Sequence, residues 1–109
     1  MPGTTVNAVR DALAREGSIG VIAADGPDVL RLREALGEAG ILTGGPGELG
    51  ARVAVLGAGE AKGLEYDHVV VVEPAAIVAA EERGLHRLYV VLTRAVSRLD
   101  VVHARALPW

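Results

Sequence analysis

Apolar positions along this chain switch repeatedly between a helical and an extended period. Val6, Val9 and Leu13 fall on one helical face with Arg10, Asp11 and Arg15 turned away, and Gly17 stops the segment, which predicts a first helix. Residues 19–24 then read as a short buried strand. Asp25-Gly26-Pro27-Asp28 is a helix start, with proline in the first turn and acids at the positive end of the dipole. Val29, Leu32 and Leu36 give that helix its apolar stripe, and Gly40 ends it. Ile41 and Leu42 form a stub of strand ahead of Gly44-Gly45-Pro46-Gly47, the stretch expected to be most flexible. Residues 53–56 and 68–72 predict two further strands, 75–82 a short helix behind Pro74 and broken at Gly84, 85–97 a strong helix and 99–103 a last strand. Strands alternating with helices predict an α/β domain with a mostly parallel sheet, right-handed crossovers and helices on both faces.

Composition sharpens that picture. A chain of 109 residues, half of them hydrophobic, is expected to be a single domain covering 1–109. Tyr66, Tyr89 and Trp109 are the only aromatics, so Val, Leu, Ile and Ala must build the core, as they do in sheets covered on both faces. A formal charge of −3 is the wrong sign for strong nucleic-acid affinity of the chain alone. The absence of cysteine excludes disulfides, thiolate zinc sites and a cysteine nucleophile. The start of the chain lacks a signal-peptide pattern, and no apolar run approaches the ~20 residues a membrane span needs. The expectation is a soluble, cytoplasmic protein with no membrane partner.

One glycine-rich string suggests dinucleotide chemistry and fails on spacing. Residues 53–63, VAVLGAGEAKG, read as a strand followed by Gly57, Gly59 and a later glycine. A dinucleotide fingerprint needs a helix of about three turns before the next strand. The strand beginning near His68 leaves room for one turn at most, so this is a turn between strands. No G-x-x-x-x-G-K-[ST] phosphate loop occurs anywhere. His68, His86 and His103 lack metal-ligand spacing, and His68 and His103 fall in or beside strands, as packed or edge histidines do.

Two segments carry more information together than apart. Lys62-Gly63-Leu64-Glu65-Tyr66-Asp67 runs straight into the strand at 68–72, and Leu88-Tyr89-Val90-Val91-Leu92-Thr93-Arg94-Ala95 follows downstream. In this order, flanking a short helical region, they resemble motifs V and VI of superfamily 1 helicases of the UvrD/Rep type. The stretch VVVVEPAAI, the compact approach from Gly84 to Arg94 and the ending around Val101-Val102-His103 with Leu107-Pro108 resemble HelD-like (helicase IV-related) ATPases. The resemblance covers about the second half of the chain. It implies the second, RecA-like domain of such an ATPase, a fold lacking its own P-loop and belonging to a longer protein.

The resemblance also implies roles. ATP with Mg2+ would bind only together with a P-loop-bearing N-terminal RecA-like domain, which is the implied partner. Arg94 matches the arginine finger, a permanently charged fork able to neutralise a transferring phosphoryl group. Glu65 matches the acid at the nucleotide sugar, and Gly63 the close backbone approach beside it. DNA is an implied ligand of the whole enzyme, and HelD-like members associate with RNA polymerase. Helical spacing places Arg87, Val91, Arg94 and Arg98 on one stripe, with Leu85, Leu88, Leu92 and Val96 facing the sheet.

Departures from the pattern keep a second function class in view. Gly57 and Gly59 stand where the UvrD pattern has a Thr and a His that grip single-stranded DNA, and Glu60 replaces a Ser. Leu30 falls where motif IV has an arginine, with Arg31 and Arg33 nearby. Glu81 and Glu82 read as a solvated helix end, and Thr93 either touches nucleic acid or caps a carbonyl. The alternative is a non-catalytic helicase-like interaction module that binds a partner such as RNA polymerase.

Overall fold

A computed structural model describes residues 2–46 and 50–108. The elements run α1 (Pro2–Leu13), β1 (Ile19–Ala23), α2 (Gly26–Glu38), β2 (Thr43–Gly44), β3 (Val53–Gly57), a single 3-10 turn (Ala58–Glu60), β4 (Tyr66–Val72), α3 (Pro74–Ala79), α4 (Gly84–Leu92) and β5 (Ala95–Val102). The five strands form one sheet in the order β2-β3-β1-β4-β5. Every pairing is parallel.

Alternation of side chains across the strands divides the core into two layers. Val21, Val55 and Val70 point to one face and pack with Val9 of α1 and Leu36 of α2. Their neighbours Ile22, Leu56 and Val71 point to the other and pack with Ile77 of α3 and with Leu88 and Val91 of α4. The continuous Val/Ile runs of β1, β3 and β4 are thus explained by burial on both faces, each side chain contributing roughly 1.5–3 kcal/mol. The expected parallel sheet with helices on both faces is what forms.

Local chemistry sets the boundaries. Asp25 caps α2 by accepting a hydrogen bond from Asp28 N at 3.0 Å, as the helix-start signal implies. Beyond α1 the chain turns through Gly17, whose φ of +114° suits glycine. Arg52 closes that end, donating from Nε to Gly17 O at 3.0 Å, from Nη1 to Leu13 O at 3.1 Å and from Nη2 to Arg15 O. A cation on the last carbonyls of a helix satisfies groups that have no partner within it. Arg33 does similar service at the sheet edge. β2 pairs only as far as Ala54, and Arg33 Nη2 donates to the next carbonyl, Val55 O, at 2.8 Å.

Several expected boundaries move. The edge strand before the glycine loop is Thr43–Gly44 rather than Ile41 and Leu42. Gly44 itself is in that strand, and Gly47 lies outside the described residues. The short helix is Pro74–Ala79, displaced from 75–82. The largest correction concerns the helix expected over 85–97, which ends at Leu92, with β5 starting at Ala95. Tyr66 N donates to Arg94 O at 3.0 Å, and β4 holds the following residues extended against it. Sheet pairing overrides a pattern that helical periodicity fits equally well.

Candidate functional site

The segment linking β3 to β4 crosses the sheet from one edge to the other. β3 and β4 are parallel members of one sheet, so the chain leaves at the C-terminal edge of β3 and returns to the N-terminal edge of β4. It does so with the single 3-10 turn and a loop, which leaves no room for a dinucleotide-binding helix. Glu60 locks the turn, its Oε1 accepting from Gly57 N at 3.0 Å. Lys62 and Gly63 are exposed, and Gly63 has a φ of +82°, which a side chain would strain. No atom lies within 4 Å of the place a Cβ at Gly63 would occupy, so its backbone is open to approach from outside.

Tyr66 anchors the end of this loop. Its ring lies over Gly20 of β1, where a Cβ would come within 2.5 Å of it. Asp67, next in the chain, accepts from Ser18 N at 2.8 Å, tying the start of β4 to the start of β1. His68 is buried and its Nε2 lies 2.8 Å from Glu16 O, a packed strand histidine as expected. Glu65 is therefore exposed on a loop whose following residue is fixed. Among the described residues, no hydrogen bond or ion pair engages its carboxylate.

The second segment reaches the same edge from above. Because β4 and β5 are parallel with Tyr66 opposite Ala95, the turn before β5 sits beside the loop before β4. Arg94 occupies that turn. Its Nε donates to Val90 O at 3.0 Å, Nη1 to Leu64 O at 3.5 Å and Nη2 to Thr93 Oγ1 at 3.3 Å. Thr93 Oγ1 in turn donates to Val90 O at 2.9 Å, so Thr93 caps a carbonyl. Arg94 thus meets the loop that carries Gly63 and Glu65 at one edge, 30 positions in sequence from its contact at Leu64 O. Three of the guanidinium's five N–H donors are engaged, which leaves two.

Other expectations change. Leu88 and Leu92 pack against the sheet as expected, but Val91 is buried with them, while Leu85 and Val96 are 65% and 64% exposed. Arg98 stands on β5, not one helical turn beyond Arg94. Glu81 is paired with Arg87 Nε at 2.8 Å instead of being only solvated. Arg31 pairs with Asp28, and Arg33 is committed to β3. Trp109 lies outside the described residues. Sequence reasoning passed over Glu73, the one described non-glycine residue with positive φ, at +54°. Its Oε1 accepts from Ala104 N at 3.1 Å and Arg105 N at 3.0 Å, fixing the chain after β5. Only its place before Pro74 hinted at a special turn.

A groove of about 590 Å³ lies between Lys62 and α4, lined by Lys62, Arg83, His86, Arg87 and Val90 with Glu81 and Glu82, and it does not include Gly63, Glu65 or Arg94. No group of acids and histidines suited to a metal ion occurs among the described residues.

No protein-family model matches the chain. No curated protein matches it in sequence. Solved structures do. The C-terminal domain of a possible DNA helicase from Lactobacillus plantarum WCFS1 superposes with a TM-score of 0.74 at 27% identity, over 94% of this chain and 68% of that one. The fold is that of a helicase C-terminal, RecA-like domain. Arterivirus nonstructural protein 10, a helicase, superposes in its complex with DNA at a TM-score of 0.62 and 20% identity. Without DNA the score is 0.61. The viral likeness shows the fold alone, and this helicase-like domain spans 27% of that chain. No described helix is long and apolar enough to cross a membrane.

Proposed function

We propose that this chain is the second RecA-like domain of a superfamily 1 ATPase, UvrD-like and within that group HelD-like. It completes an ATP site in trans to a P-loop domain. The observation that carries this reading is the Arg94 guanidinium reaching Leu64 O at 3.5 Å, beside the exposed Glu65 and the open backbone of Gly63. In this proposal the P-loop domain holds ATP and Mg2+, Glu65 accepts hydrogen bonds from the ribose hydroxyls, and Gly63 lets the nucleotide approach the backbone. The two unengaged N–H groups of Arg94 meet the γ-phosphoryl oxygens. Charge on those oxygens develops as the phosphoryl group transfers, so the arginine favours the transition state over bound ATP. Hydrolysis then moves the two domains and remodels a nucleic acid or RNA polymerase complex.

The test is single-turnover hydrolysis and nucleotide affinity in the full-length parent. Arg94→Ala is expected to slow hydrolysis by about 10³–10⁵-fold, roughly 4–7 kcal/mol, with binding largely spared. Arg94→Lys is expected not to rescue, since an ammonium lacks the planar fork. Arg10→Ala, on the exposed surface of α1, is the control. Near-normal turnover by Arg94→Ala rejects the finger assignment.

A second reading rests on the C-terminal edge of β3. Gly57 and Gly59 offer no side chain to a nucleic acid there, and the Glu60 carboxylate is turned onto Gly57 N. That favours a helicase-like module that binds a protein partner without translocating on DNA. Partner binding that survives Arg94→Ala, in a full-length parent that does not turn over ATP, supports this reading instead.

A further inference from the structure

β5 is the outer strand of the sheet, and residues 96–99 at its middle are exposed. An eight-residue strand with one open edge is a template for another strand. Its backbone orientation follows from one bond. Glu73 N donates to Val102 O at 2.7 Å, and the register from Arg98 to Val102 against β4 is unbroken. Residues 98, 100 and 102 therefore turn their backbone groups towards β4, and Ser97, Leu99 and Val101 turn theirs outwards. Leu99, in register with Val69, carries its side chain on the α4 face of the sheet and is 42% exposed. Arg98 and Asp100 share the opposite face, where they line a groove with Asp11 and Arg15 of α1.

We propose that β5 pairs antiparallel with β5 of a second copy of this chain, about a two-fold axis through Leu99. In this register the outward N–H and C=O groups of Leu99 bond those of its own copy, and Ser97 and Val101 exchange bonds in the same way. Arg98 stands directly opposite Asp100 of the second copy, and symmetry makes that pair twice. The adjacent two-fold registers set Arg98 against Arg98 or Asp100 against Asp100. Charge thus selects one alignment, and opposite charges across a strand pair stabilise it while like charges oppose it. The two sheets become one continuous sheet, and the Leu99 side chains meet at its centre. The nucleotide edge at Arg94 is not part of the pairing, so the dimer stands independently of the function proposed above.

Sedimentation analysis of the 109-residue chain decides the matter. The wild type is expected to dimerise reversibly. Arg98→Asp and Asp100→Arg alone are each expected to weaken dimerisation by about tenfold or more, since both symmetric pairs become repulsive. An equimolar mixture of these two variants restores the opposite-charge pairs and is expected to form heterodimers. The double variant Arg98→Asp/Asp100→Arg is expected to recover wild-type affinity. Circular dichroism of each variant separates loss of pairing from loss of fold. A wild type that stays monomeric up to its solubility limit overturns the proposal, even if its edge takes up an extended peptide from another protein. A dimer indifferent to either single charge reversal, or a mixture that stays monomeric, overturns it as well.

Discussion

Glycine at position 84 is required by contact more than by backbone conformation. A Cβ there would lie 1.9 Å from Val78 O, because α3 and α4 touch backbone to backbone at that point. In an isolated helix, replacing glycine by alanine gains about 1 kcal/mol. Here the overpacking penalty of roughly 1–3 kcal/mol is expected to win, so Gly84→Ala should lower the melting temperature by several degrees. A thermal melt showing an unchanged or raised midpoint would mean that α3 and α4 sit further apart. The sequence alone reads Gly84 as a helix breaker, a property of the residue; the neighbour it must admit is a property of the fold. Arg94 shows the same division. Its type and spacing from Gly63 and Glu65 were legible, whereas its bonds to Val90 O and Leu64 O come from packing between two remote segments.

Among the elements, α1 depends on a residue from a remote segment, just ahead of β3. Arg52 immediately precedes β3 and binds the last carbonyl of α1, Leu13 O, and two carbonyls of the turn after it, bringing charge to the negative end of the helix dipole. Arg52→Ala is expected to cost about 1–2 kcal/mol, the exposure of the side chain holding the effect down. Faster amide exchange confined to the last turn of α1 is the signature to look for. Uniform exchange across the domain would instead indicate a general loss of stability. No local pattern in α1 announces this cap, because its partner lies more than thirty positions away. The helix expected over 85–97 failed for a related reason. Ala95 and Val96 fit an amphipathic helix as well as an edge strand, and only pairing with β4 decides between them.

For the whole molecule, the proposed role makes ATP turnover a property of two domains together, so the chain by itself is expected to be inactive. The purified domain is expected to release no phosphate from ATP, and its charge of −3 is expected to leave it a weak binder of single-stranded DNA at moderate salt. ATP turnover that persists through purification and is abolished by Arg94→Ala would refute this, since it would show a complete site within one domain. The meeting of Arg94 with Gly63 and Glu65 follows from the strand order, which sets β4 beside β5 and brings both N-terminal ends to one edge.

The sequence by itself determined the α/β class, the buried strands β1, β3 and β4, the cap at Asp25 and the two motif-bearing segments. Those properties rest on local periodicity and on residue chemistry, which a chain carries wherever it lies. Tertiary structure decided where α4 stops, which face of α4 is buried, and what Arg33, Arg52 and Glu73 hold. It also left one long edge strand open. Each of these depends on backbone groups finding partners across the sheet, and that pairing energy exists only once distant segments have been brought together.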